Sequence, residues 1–345
     1  MIPEKEIEEI RKHLRDAENP LFLFDDDADG LTSFLLLWRF IKRGYGIPIK
    51  GSPKITEENI KKIEEFKADK LFIIDKAVLP QDVINKIKVP IIYIDHHPIQ
   101  EIKGTHYYNP LKYDPTDSRP TSYWCYKVTQ QDLWIAMIGI VGDWHVPDEI
   151  KELNKQYPNI LNKQKKPNDI LYNSELGKLI KIFEFSLKGS MKDSMQCIKV
   201  LTRIDSPDEI LKQTTPKGKF VYKHFEKINQ RYEKRLKDAI ECKTESKVLL
   251  YTYPPDKDSF TSPISNELMH LNPNKVIIVA KIRNDSVNMS LRTSKIKIDL
   301  PEIIKKSLEG LEGYGGGHKT ACGAHIKKED FNEFINRFKK LVENS

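Results

Sequence analysis

The chain has 345 residues, 39% of them hydrophobic, and 57 Lys and Arg against 50 Asp and Glu give a formal charge of +7. That is enough apolar content for a sizeable core in two domains, while four dispersed cysteines without a CxxC pair exclude a disulfide-built scaffold. No apolar window nears the ~20 residues of a membrane span, so a soluble cytoplasmic protein with no membrane partner is expected. The charge leans toward polyanionic partners, although a solvated lysine-rich surface gives the same number.

In chain order, MIPEKEIEEIRKHLRDAEN reads as an amphipathic charged helix rather than a signal sequence. Three apolar runs follow, and each stops at an aspartate: Leu21 to Phe24 at Asp25, Leu71 to Ile74 at Asp75, and Ile91 to Ile94 at Asp95. Short continuous apolar runs alternating with helical patterns such as TSFLLLWRFIKR and ENIKKIEEFK predict a parallel sheet buried on both faces. Sites in open α/β sheets form beyond the carboxyl ends of the strands, so the three acids are expected on one rim. His96 and His97 follow Asp95 directly, and the apolar helix-like segment LWIAMIGIVG delivers Asp143. The first motif, FDDDADG, adds Asp27 and Asp29 beside Asp25. A single Asp after a strand most often caps a helix. Several acids and a double His on one rim point instead to a pair of divalent cations, and mixed oxygen and nitrogen donors favour Mn²⁺ over Mg²⁺, with Co²⁺ a further choice.

These motifs resemble the DHH phosphoesterase superfamily: DDDADG, Asp75, Asp95-His96-His97, GDW at 142 to 144, and a C-terminal GGGHKTACGAH, in that order. The resemblance implies a two-metal phosphodiesterase in which Asp27 binds one ion, Asp29 and His96 the other, Asp75 bridges them and Asp143 completes the second site. It further implies that His97 faces the substrate phosphate and Asp95 holds a neighbouring imidazole in its working tautomer. Within the superfamily the small-nucleotide branch carries HxNPDxD, but Leu23 stands where that histidine would be. Asp25-x-Asp27-x-Asp29-Gly30 is closer to the RecJ-type single-strand exonucleases, with Asp25 in place of the histidine ligand and Asp26 turned to solvent or bonded to the next loop. The implied substrate is then a single strand of DNA or RNA, degraded from an end, in replication or repair with partners unspecified. An enzyme for cyclic dinucleotides, very short oligonucleotides or bisphosphorylated nucleotides, and a non-catalytic replication-fork scaffold, are the two alternatives.

Residues 1–150 are expected to form the α/β core with the acids, 151–245 a helical insertion and connecting helix, and 246–345 a smaller α/β domain. In the middle segment ELNKQYPNILNKQKKPND reads as a surface loop, and GKFVYKHFEKINQRYEKRLKDAIE as a long helix whose cations form a solvated face. The last segment shows strand character at 246 to 252, 275 to 282 and 286 to 293, with FNEFINRFKKLVEN as a closing helix. GYGGGH on its own reads as a flexible turn or as a phosphate-cradling loop leading into a helix, and the resemblance implies that Gly315, Gly316, Gly317 and His318 lie on the substrate phosphate. In the resemblance Arg292, from SLRT, is a second phosphate clamp; alone it would pass for a surface arginine. Trp144 and Tyr314 are aromatic enough to stack a base.

Overall fold

A computed structural model describes residues 1–51 and 54–344 of the chain. They divide into two compact units, 1–226 and 227–345.

The first unit is built on five parallel strands: β1 (Leu21–Asp25), β2 (Tyr45–Ile49), β3 (Leu71–Ile74), β4 (Ile91–Ile94) and β5 (His106–Tyr108), in the order β2-β1-β3-β4-β5. All side chains of 21–24, 71–74 and 91–94 are buried, as apolar runs without alternation require. On one face Leu21, Leu23, Leu71, Ile73, Ile91 and Tyr93 pack with Ile63, Val83 and Ile84 from the flanking helices. On the other, Phe22 and Phe24 meet Phe34 of helix Ala28–Ile41 at ring separations of 5.5 and 4.8 Å. Each such side chain contributes roughly 1.5–3 kcal/mol through burial, which offsets the cost of gathering charge at the rim.

Register decides where that rim lies. Leu21 pairs with Leu71 and Leu71 with Ile91, so Asp25, Asp75 and Asp95 stand in one row at the carboxyl ends of three neighbouring strands. Behind them, helix Leu133–Gly142 has nine of its ten residues buried, and it packs against helices Ala28–Ile41, Thr121–Thr129 and Glu175–Ser186. Gly139 permits this. A Cβ there would lie 2.0 Å from Thr32 Oγ1 and 2.7 Å from Ser122 Oγ, and the Thr32 hydroxyl is committed to Ala28 O at 2.8 Å.

The expected middle segment is not a unit of its own. Its helices up to Pro207–Leu211 lie in the first unit, and the boundary falls inside the 25-residue helix Pro216–Ile240. The stretch expected as a loop carries the ends of helix Ile150–Gln156 and helix Pro167–Asn173, anchored by the buried Ile160 and Leu161. Cys125, Cys197 and Cys322 are buried free thiols, whereas Cys242 is only half-buried.

The second unit holds β6 (Val248–Tyr253), β7 (Val276–Ile282), β8 (Ser286–Arg292), β9 (Gly313–His318) and β10 (Ala321–Lys327), in the order β6-β7-β8-β10-β9. One face carries Ile278, Ala280, Val287, Met289, Leu291 and Ile326 against helices Leu300–Ser307 and Phe331–Glu343. GYGGGH is therefore not a loop before a helix. It is edge strand β9, paired with β10 in an antiparallel hairpin from His318↔Ala321 to Gly313↔Ile326. Among the described residues no helix is long and apolar enough to cross a membrane.

Alanine at a helical glycine ordinarily stabilises by ~1 kcal/mol, but overpacking a filled core costs about 1–3 kcal/mol. Gly139→Ala is therefore expected to destabilise the protein by about 1 kcal/mol, read as a lower urea midpoint at unchanged slope.

Candidate metal centre

The acids are held by backbone geometry that only a few residue types allow. Asp25 ends β1, and Asp27 caps the following helix by accepting Gly30 N–H at 2.9 Å. A Cβ on Gly30 would lie 2.6 Å from Asp25 O and 2.7 Å from Asp25 N, so the Asp-Gly pair lets the helix start against the end of its own strand. Asp29, in the first turn, is buried. Its Oδ2 accepts Thr121 N–H and its Oδ1 accepts Ser122 N–H, both at 2.8 Å. These donors belong to the free N-terminal turn of helix Thr121–Thr129, where a carboxylate is favoured.

Asp75 has a φ of 57°, in the left-handed region that a non-glycine residue enters only when its surroundings hold it there. Its N–H donates to Ile94 O at 2.9 Å and its Oδ1 accepts the Thr121 hydroxyl at 3.2 Å. His96 spans the rim, with Nε2 3.4 Å from Asp75 Oδ1 and Nδ1 3.8 Å from Asp143 Oδ2. Asp95 serves the neighbouring imidazole instead. Its Oδ1 lies 2.8 Å from His97 Nδ1, and its Oδ2 accepts His97 N–H at 3.1 Å. Asn109 steadies the same loop by donating to His97 O at 2.8 Å.

Three overlapping groups result, each with ligand atoms within 4.8 Å of one another: Asp25, Asp27 and Asp75; Asp29, His96 and Asp143; and Asp75, His96 and His97. Asp75 and His96 are each shared by two of them. Thus all six residues expected on the metals stand together, and His97, expected on the phosphate, stands in a ligand group as well. His145 and Trp144, both half-buried, belong to none of these groups, and the Trp144 backbone is also left-handed at φ 63°. Asp26 is half-buried rather than turned fully outward, and its N–H donates to Asp25 Oδ1 at 2.8 Å. Two surface depressions of the first unit, of about 400 and 490 Å³, are lined by residues 156–212 and 146–170 and contain none of these side chains.

The electrostatics ask for cations. Burial and then repulsion from Asp29 and Asp27 hold the Asp75 carboxyl well above the usual range. Crowding by protein and then repulsion from Asp25 and Asp29 do the same to Asp27. Because Asp27 still touches solvent, the repulsion is the sturdier of the two causes. Burial lifts Asp143 to about 6 against the pull of His96. Burial opposes charge on both imidazoles, yet Asp143 and Asp29 raise His96, and the Asp95 hydrogen bond lifts His97 to about 9. Hard oxygen donors with one or two imidazole nitrogens, short of neutralising charge, are a donor set that fits divalent cations.

Sequence reasoning missed four participants. Thr121, Ser122 and Asn109 carry no motif signal. Lys76 does follow a ligand directly, and its Nζ lies 2.8 Å from Asp25 Oδ1 with the side chain fully enclosed.

The remaining predicted residues belong to the second unit. Arg292 and His318 both pair with Ala321, so they share one row across β8, β10 and β9. The Arg292 guanidinium donates to Asn266 Oδ1, Ser262 Oγ, and the carbonyls of Leu291 and Cys322 at 2.6–3.1 Å. Of the glycines, Gly315 and Gly317 are tied to packing. A Cβ would meet Ile304 at 2.8 Å and Ala321 O at 2.5 Å respectively, and Gly317 has a φ of 142°. Gly316 faces open space. Tyr314 is 71% exposed and lies 5.2 Å from the His325 ring.

Asparagine tolerates the left-handed backbone and removes one of the mutually repelling charges. Asp75→Asn should therefore raise the stability of the metal-free protein by roughly 0.5–2 kcal/mol while abolishing most of the stabilisation by Mn²⁺. Melting curves with and without chelator check both signs.

Residues 253–344 match the DHHA1 domain model. No curated protein sequence matches the chain. Among solved structures, RecJ from Thermus thermophilus in complex with Mn²⁺ superposes with a TM-score of 0.73 at 14% identity, covering 99% of this chain and 55% of that one. An exonuclease RecJ bound to manganese gives 0.67 at 13% identity, covering 100% and 96%. A pGpG-specific phosphodiesterase, PggH from Vibrio cholerae, gives 0.52 at 16% identity, covering 95% and 99%. The chain therefore spans little more than half of the Thermus protein. Its residues 253–344 thus resemble a DHHA1 domain, and the described chain has the fold of the RecJ structures.

Proposed function

We propose that this chain is a metal-dependent phosphodiesterase that hydrolyses single-stranded DNA or RNA from an end. The observation that carries this is the pair of ligand groups, Asp25-Asp27-Asp75 and Asp29-His96-Asp143, joined on one rim through the His96–Asp75 contact. Two divalent cations held there, Mn²⁺ being the best match to mixed donors, would ease ionisation of water at neutral pH and screen the charge of a phosphodiester. The chain's own residues prepare the ground. The N-terminal turn of helix Thr121–Thr129 fixes Asp29, leaving each oxygen a lone pair for a ligand. Asp95 fixes the His97 ring through Nδ1, which leaves Nε2 to meet a phosphate oxygen.

In the second unit, His318 offers a donor to a second phosphate, and the open space beside Gly316 offers room for it. Arg292 joins them by exchanging its Ser262 or Asn266 partner for a phosphate oxygen. The neighbours support this reading in different ways: the manganese-bound RecJ is an exonuclease, and this chain nearly covers that structure. A second reading, a hydrolase for dinucleotides and similar small nucleotides, is favoured by the match over nearly the whole of PggH against 55% of the Thermus RecJ.

With Mn²⁺ present, a 5′-labelled and a 3′-labelled 20-mer should be shortened stepwise from one end, faster per enzyme than a dinucleotide is cleaved. The reverse ranking would select the small-nucleotide reading. Asp75→Asn, shown folded by its melting curve, should lower kcat by about three orders of magnitude, the scale of several kcal/mol of charge stabilisation. Full turnover in that variant would overturn the assignment.

A further inference from the structure

Asp25, at the end of β1, already possesses a cation of its own. Lys76 directly follows the bridging position Asp75, its side chain is 0% exposed, and its Nζ lies 2.8 Å from Asp25 Oδ1. The backbone there is pinned as well. The Tyr93 hydroxyl donates to Lys76 O while receiving Gln100 Nε2–H at 2.8 Å, so the lysine sits on a fixed strand end and not on a swinging loop.

The two halves of the rim are therefore not equivalent. The Asp29-His96-Asp143 group contains an imidazole, and an imidazole nitrogen is itself a metal ligand. The Asp25-Asp27-Asp75 group contacts an ammonium instead, which has three donors and no lone pair to give. A divalent ion entering there would share Asp25 with a charge of its own sign, and the ammonium is itself enclosed, so solvent screens the repulsion only in part. Displacing the lysine is no remedy, since its side chain is fully enclosed and pulling an ammonium from a carboxylate it touches is costly.

We propose that Lys76 is a built-in counter-ion for Asp25 within the Asp25-Asp27-Asp75 group. The chain then takes one divalent cation tightly at Asp29, His96 and Asp143, and a second at Asp25, Asp27 and Asp75 only weakly, in competition with the lysine. This rests on reading the rim as a metal centre. Lys76 is a positioning residue: it keeps the first group of acids assembled without metal and makes the second cation dependent on its concentration.

Mn²⁺ titration of the 345-residue chain, followed by calorimetry and by electron paramagnetic resonance, tests the idea. The wild-type chain should show one tight site and a second at least ~10-fold weaker, the scale of a single screened charge interaction. At one equivalent its spectrum should be that of isolated Mn²⁺, with a spin-coupled pair emerging only at excess. In Lys76→Met the weak site should strengthen by at least ~10-fold, and Mn²⁺ should raise Tm more than in the wild type. Two equally tight sites in the wild type, a coupled pair at one equivalent, or an unchanged titration in Lys76→Met would overturn the proposal. The wild-type spectra decide it even if the variant does not fold. No Mn²⁺ bound to the wild-type chain at all would instead overturn the metal-centre reading beneath it.

Discussion

Carboxylates repel one another, and in this chain parallel strand register forces them together. Because Leu21, Leu71 and Ile91 are in register, the residues that end the strands have no freedom to separate. Asp25, Asp75 and Asp95 are delivered to one rim whatever their charges cost, and the apolar faces of the sheet hold the register. Each acid is then handled differently. Asp95 binds the His97 imidazole, Asp25 meets the Lys76 ammonium, and Asp75 is left with its Thr121 hydroxyl bond and nearby His rings. Asp29, arriving from the helix after β1, takes two backbone N–H groups.

That division of partners gives the rim its chemistry. Carboxylates fully satisfied by protein would have little to offer a cation, whereas carboxylates with none would not stay assembled. Here burial and repulsion at Asp75, and chiefly repulsion at the solvent-touching Asp27, lift both carboxyls well above the ordinary carboxylate range, so charge is in demand where the ligand groups overlap. The left-handed backbone of Asp75 belongs to the same economy of space, since it turns the chain at the strand end beneath its neighbours. Close approach at Gly30 and Gly139 does the rest, bringing one helix onto the end of β1 and another against Thr32 and Ser122.

The second unit solves a different problem with the same means. An edge strand made largely of glycine has little side-chain area to pack, yet Gly315 and Gly317 are required by their neighbours while Gly316 lies open. The hairpin aligns His318 with Arg292 across Ala321, so residues far apart in the chain share one row on the sheet.

Much of this was legible beforehand. Apolar runs without alternation specified buried parallel strands, and the aspartates after Phe24, Ile74 and Ile94 specified a rim, because strand periodicity and side-chain class are local properties of the chain. The Asp-His-His triplet and Asp143 were legible for the same reason. Lys76 looked like any lysine after a strand, and nothing near Asp29 announced Thr121 and Ser122 more than ninety positions away. Nor did the glycine run announce a strand, since glycine's own preference is for turns and only pairing with β10 makes it extended. Residue types and periodicity thus set the elements and the candidate ligands. Which partner neutralises which acid was left to tertiary structure, because that depends on register and close packing between segments distant in the chain.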